Sequence, residues 1–239
     1  VRPSEEFNGY ARVTVGEVGT LNVEGAVGGS LNAADTVMGR LSVFGLNRDD
    51  WIDNLAAGTS GDDFGEFDET AWRVQALWQP SDEFRALLKA HGFNQKGSHP
   101  QVFYANALEV GKKGLRSGFD ETQARHDGPA GMSLDHYGMM ANLQWDLDSF
   151  TITSITGADS VENFQFTDVD GGVSDGCCGE LGQSLFPVAT GDGLDDHNQF
   201  TQEIRLSTES DNYFFQGGVY VLNEDMKIRS YDFLADSTT

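Results

Sequence analysis

Three groups of residues in this chain carry side chains that could do chemistry. Asp168, Asp170 and Asp175 lie in a glycine-rich stretch, DVDGGVSD, and hard oxygen donors so spaced suit calcium. The EF-hand pattern fails, because its fifth position falls on Gly172 and its twelfth on Gly179. Two readings stay open: a looser oxygen-ligand calcium site, or carboxylates that are simply solvated. Cys177 and Cys178 are adjacent in the same stretch. In an oxidising compartment they read as disulfide cysteines, joined in a vicinal ring or bonded to cysteines elsewhere. A Cys-Cys pair with no nearby histidine is not a zinc spacing, and neither cysteine has an evident base partner, so a loop staple is the plain reading. His91, His99, His126, His136 and His197 are scattered without metal-ligand spacing. No nucleophile elbow, phosphate loop or paired-carboxylate pattern stands out, and no enzymatic activity is expected.

The elements that position these groups read as strands. The 239 residues contain no apolar run long enough for a transmembrane helix. Twenty-nine Gly and 16 Phe favour an all-β chain, and 11% aromatic content speaks against disorder. A net charge of −23 argues against nucleic acid, whose phosphates require an excess of Lys and Arg. Seventeen of the 38 carboxylates fall within 47–69 and 159–199, which reads as acid concentrated in loops.

Alternation at period two predicts nine strands, at about 9–17, 21–29, 36–46, 70–79, 83–93, 136–146, 149–158, 200–207 and 213–221. In the fourth, Trp72, Val74, Ala76 and Trp78 face one way, and Arg73 and Gln75 the other. From the second strand onward, short and long connections alternate, and the chain beyond about 223 reads as a further loop. All five prolines avoid the strands. The pattern is an antiparallel up-and-down meander with short turns at one end and long loops at the other, as in transmembrane barrels. Arg73, Arg85, Lys89, Glu203 and Arg205 then line the polar, lumen side, where His91 and His136 also sit.

FTQEIRLS followed by an aromatic-rich GGVY strand (200–220) resembles the mid-barrel hairpin of TonB-dependent outer-membrane receptors. VRPSEEFNGY (1–10) is similar to the junction between their plug and first barrel strand, and LNVEGAVGGSL with GRLSVFGLNRDDWIDN to their second and third strands. The resemblance implies that residues 1–239 are a partial receptor barrel in the bacterial outer membrane, since nine strands cannot close a barrel of even count. It implies import of a siderophore, cobalamin or glycan, powered through TonB by a plug segment outside this chain. It also implies long loops at the cell exterior, whose carboxylates would bind calcium or meet lipopolysaccharide phosphates through divalent ions. The lumen charges would contact the plug. A soluble calcium-dependent adhesion module is the alternative.

Overall fold

The computed structural model describes residues 1–56, 63–98, 101–174 and 179–234. Among the described residues there are eleven strands and no helix. They are β1 (Asn8–Val15), β2 (Leu21–Ser30), β3 (Val37–Arg48), β4 (Asp53–Asn54), β5 (Phe67–Trp78), β6 (Phe84–Gly97), β7 (Gln123–Ala124), β8 (Gly131–Leu147), β9 (Phe150–Asp168), β10 (Val188–Ser210) and β11 (Tyr213–Leu234). Nine of them form one sheet in chain order, each neighbour antiparallel, while β4 and β7 make a small parallel pair outside it. The sheet is the expected nine-stranded meander, open between its edge strands β1 and β11.

Register sorts the side chains into two faces, because residues directly opposite across a ladder share a side. One row runs Leu41, Val74, Ala90, Met139, Ala158, Phe200. The adjacent row runs Ser42, Arg73, His91, Gly138, Asp159, Gln199. The first face is apolar and uncovered: Trp72, Val74, Trp78, Met139, Leu143, Ile204 and Leu206 are between 38% and 64% exposed. The second is polar, yet here Arg40 and Gln75, paired across β3 and β5, are 9% and 6% exposed. Arg40 donates to Asn8 Oδ1 at 2.7 Å. Among the described residues the buried apolar side chains are Ala26, Met38, Ile52, Phe64, Ala86, Ala124 and Ala189. Three of these belong to the long loops, so the sheet itself has almost no core.

Aromatic rings mark two heights on the apolar face. Near the short turns, Phe84 packs edge-on between Trp78 and Trp145, with centroids 5.5 and 6.4 Å away. Higher up, Trp72 and Tyr137 stand on either side of Gly92. A Cβ at Gly92 would come within 2.5 Å of the Trp72 indole, so the missing side chain lets that ring lie against the backbone. Tyr137 and Trp145 are eight positions apart on β8, roughly 20 Å of height for a strand tilted by about 45°. Paired aromatic girdles around an apolar band are the signature of a transmembrane barrel wall.

The last strands run well beyond their expected ends. β9 continues to Asp168, β10 begins at Val188 and β11 extends to Leu234, so the loop expected at 159–199 shrinks to 169–187. The loop expected after 223 is strand. Asp192, Asp195 and Asp196 are therefore strand residues rather than loop residues. They meet Ser230 (2.6 Å), Arg229 (2.5 Å) and Lys227 (3.3 Å) across β10–β11, around a bulge between Leu194 and Asp196. On these extensions Glu162 and Asp225 stand on the face that is apolar lower down, so the period-two signal is interrupted although the hydrogen-bond ladder continues.

The facing assignment predicts an asymmetric response to charge. In the intact protein in lipid, Ile204→Arg should destabilise by about 2–4 kcal/mol, as for charge on a barrel's lipid face. Thr201→Arg, on the polar face beside Glu203, should cost far less. Equal losses in denaturant unfolding would overturn the assignment.

Candidate functional site

The polar face and the loops above it hold the charged and ligand-type side chains. Their placement follows from the hairpins. The tight turn between Leu147 and Phe150 fixes every β8–β9 partner above it and puts Asp159 opposite Gly138. β6 pairs on the other side of β8 and puts His91 opposite the same glycine. His136 lies two positions along β8, on the same face. Its Nε2 is 3.0 Å from Asp159 Oδ1, and His91 Nε2 is 3.7 Å from the same oxygen. The two imidazoles meet edge to face with centroids 5.0 Å apart. Gly138 makes this possible: a Cβ there would lie 2.2 Å from Asp159 Oδ1 and 2.5 Å from His91 Cε1.

All five charged residues expected on the lumen side share this polar face, but they do not form one network. Glu203 and Arg205 pair with each other at 3.0 Å, in a charge contact rather than an aligned hydrogen bond. Arg85 donates through Nε and Nη2 to Gln144 Oε1 at 3.1 and 2.6 Å, and Gln144 donates to Asp146. Arg73 stands opposite His91, and Lys89 opposite Gln75. The N-terminal segment reaches the same face. Pro3 is buried, and Arg2 lines a small cavity of about 60 Å³ with Leu77, Arg85, Leu87, Asn142 and Gln144.

Above the sheet, the long loops pack into a cap with a core of its own. Ile52, Phe64 and Ala124 form it, with Val102 and Tyr104 against them. His126 is 2% exposed, its ring 4.8 Å from that of Phe64 and its Nε2 2.7 Å from the Phe103 carbonyl oxygen. It is a packing residue. His197 pairs with Glu224 at 2.8 Å on the polar face, and His99 lies outside the described residues. Of the aspartates expected to bind calcium, Asp168 and Asp170 come together, joined by Asp127, with one carboxylate oxygen from each within 4.8 Å of the others. Asp175 lies outside the described residues, as do Cys177 and Cys178.

These carboxylates also hold the cap's backbone. Asp168, 1% exposed, accepts from the amides of Gly128 and Gly171 at 3.0 and 2.9 Å. Asp170 accepts from Gly172 and Val188, and Asp127 from Ser174. Asp168 ends β9 well above the aromatic bands. Burial pushes its carboxyl above the ordinary range, opposed by the Gly128 amide, the His126 ring and the Gly171 amide. Sequence reading missed Asp159 and Asp127. Asp159 was findable by counting register up from the Leu147–Phe150 turn, whereas Asp127 is brought in by loop packing, which has no local signal.

No protein-family model matches the chain, and no curated protein matches it. The nine-stranded, two-faced antiparallel meander has the form of part of a β-barrel wall. The chain resembles in particular the ferric yersiniabactin uptake receptor FyuA from Yersinia pestis, with a TM-score of 0.72 and 16% sequence identity. The match covers 98% of this chain and 33% of that receptor, so the chain spans about a third of its length. The fold is that of part of a TonB-dependent receptor barrel.

Asp168→Ala should loosen the cap and leave the sheet intact. Two amides lose their acceptor, at about 1–3 kcal/mol for each one left buried and unsatisfied. Hydrogen exchange should quicken at Gly128 and Gly171 and stay unchanged at Gly138; uniform quickening would refute a local clamp.

Proposed function

We propose that this chain forms part of the barrel wall of a receptor in the bacterial outer membrane. The receptor imports a scarce solute of the siderophore, cobalamin or glycan class and is driven through TonB by a plug segment. One observation carries this reading: an uncovered apolar band between two aromatic levels, backed by a charged face. A soluble protein exposes no such band, whereas a barrel wall requires it. The shared fold of FyuA, an uptake receptor, supports the transport class. The free edges of β1 and β11 fit this role, because unpaired backbone groups in lipid cost several kcal/mol each and further strands would satisfy them. Arg73, Arg85, Lys89, Glu203 and Arg205 would face the plug, and the segment at Arg2 and Pro3 already crosses their side of the sheet.

Sidedness tests the reading. Gly114 lies in the long connection 98–130, and a Cβ there would meet nothing within 4 Å; Ser210 ends β10 at a short turn. Epitope tags at these positions should be labelled on intact cells at Gly114 and only after permeabilisation at Ser210. The reverse pattern would overturn it. In the same strain, uptake of a panel of labelled ferric siderophores, cobalamin and oligosaccharides should stop when TonB is deleted.

We also propose calcium, at the outer face, as the ion for Asp127, Asp168 and Asp170, whose clustered oxygens support that choice. Proteolytic nicking at 169–187 in the intact receptor should fall in calcium and not in sodium chloride of matched ionic strength. Equal protection would leave only diffuse screening, at a surface that meets lipopolysaccharide through shared divalent ions.

A further inference from the structure

We infer that His91, His136 and Asp159 form a binding site for a divalent transition ion of the zinc class on the polar face of the sheet. Three different strands deliver one donor each, β6, β8 and β9. One donor atom from each residue lies within 4.8 Å of the other two. In a tetrahedral zinc site, metal–ligand lengths of about 2.0–2.1 Å place neighbouring ligand atoms about 3.3 Å apart. The distances of 3.0 and 3.7 Å from Asp159 Oδ1 to the two Nε2 atoms bracket that edge. Small rotations about the side-chain torsions would bring all three donors onto one ion, leaving a position open to water.

Donor chemistry selects the ion. Two imidazoles and one carboxylate suit zinc, cobalt, nickel or copper, whereas calcium and magnesium prefer all-oxygen shells. The site is reachable, with side chains 27%, 34% and 38% exposed. His91 can act only through Nε2, because its Nδ1 is buried with no hydrogen-bond partner. Affinity must come from these donors rather than from a general negative field, since Arg73 stands directly opposite His91. Gly138 is the enabling residue. It is the cross-strand partner of both His91 and Asp159, and any side chain there would occupy the space where their donors converge.

Binding to the purified protein does not require transport, so the test stands apart from the proposed function. The intact protein in detergent is titrated with cobalt(II), whose visible absorption reports a low-coordinate nitrogen–oxygen site. One equivalent should bind, zinc should displace it, and calcium in the same excess should not. His136→Ala and Asp159→Asn should each weaken cobalt binding by about tenfold or more. Gly138→Ala should do the same with all three donors present, by forcing Asp159 and His91 apart. Folding of each variant is checked by its thermal unfolding and hydrogen exchange in β8. Absence of the cobalt band, displacement by calcium, or unchanged affinity in folded Gly138→Ala would overturn the site.

Discussion

The structure depends on a backbone ladder whose side chains have no common interior. A soluble domain is held by apolar residues that converge on one core, at roughly 25 cal/mol per Å² removed from water. Here Val74, Met139, Ile204 and Leu206 diverge from the molecule instead, all of them exposed. The hydrogen bonds between strands fix the geometry, and the surroundings must supply the apolar contact. That division explains why small residues recur along the sheet. Gly92 under Trp72 and Gly138 under His91 and Asp159 let large side chains of neighbouring strands lie against the backbone, where a soluble sheet would pack a second layer.

Once the strands leave the apolar band, another interaction must hold them. The backbone ladder of β10 and β11 does this on both sides of its bulge, and on it Asp192 accepts from Ser230 while Asp195 and Asp196 pair with Arg229 and Lys227. Exposed ion pairs of this kind contribute little singly, about 0–1 kcal/mol each, so they decorate the ladder rather than hold it. The cap uses carboxylates differently: Asp168, which is buried, and the half-buried Asp170 and Asp127 accept from backbone amides of the loops and of the start of β10. Acid in this chain is thus engaged in two ways, before any cation is considered.

How much of this was legible depended on where period two survives. Between the aromatic levels one face is apolar and the other polar, so Trp72, Val74 and Trp78 against Arg73 and Gln75 betrayed both strand and facing. Above the girdles charged side chains also stand on the face that is apolar lower down, Glu162 and Asp225 among them. There β9, β10 and β11 continue through Glu162, Asp195 and Asp225 with their alternation interrupted, which is why their upper halves read as loops. Charge density was a misleading guide for the same reason, because a solvated strand and a solvated loop select similar side chains. The cap core of Ile52, Phe64 and Ala124 was illegible on other grounds, since it joins segments far apart in the chain.

The histidine–aspartate cluster shows how the two regimes combine. His91 and His136 were assigned to the polar face because β6 and β8 alternate clearly through them. Asp159 opens the loop expected at 159–199, because the stretch 149–158 before it alternates only weakly. Only the ladder unites them, since a hairpin that turns between Leu147 and Phe150 carries its register upward whatever the side chains are. A three-strand donor set on a sheet is therefore as rigid as the hydrogen bonds beneath it, and substituting the side chains does not alter its register. Its convergence still requires a central residue with no side chain, and Gly138 fills that position between β6 and β9.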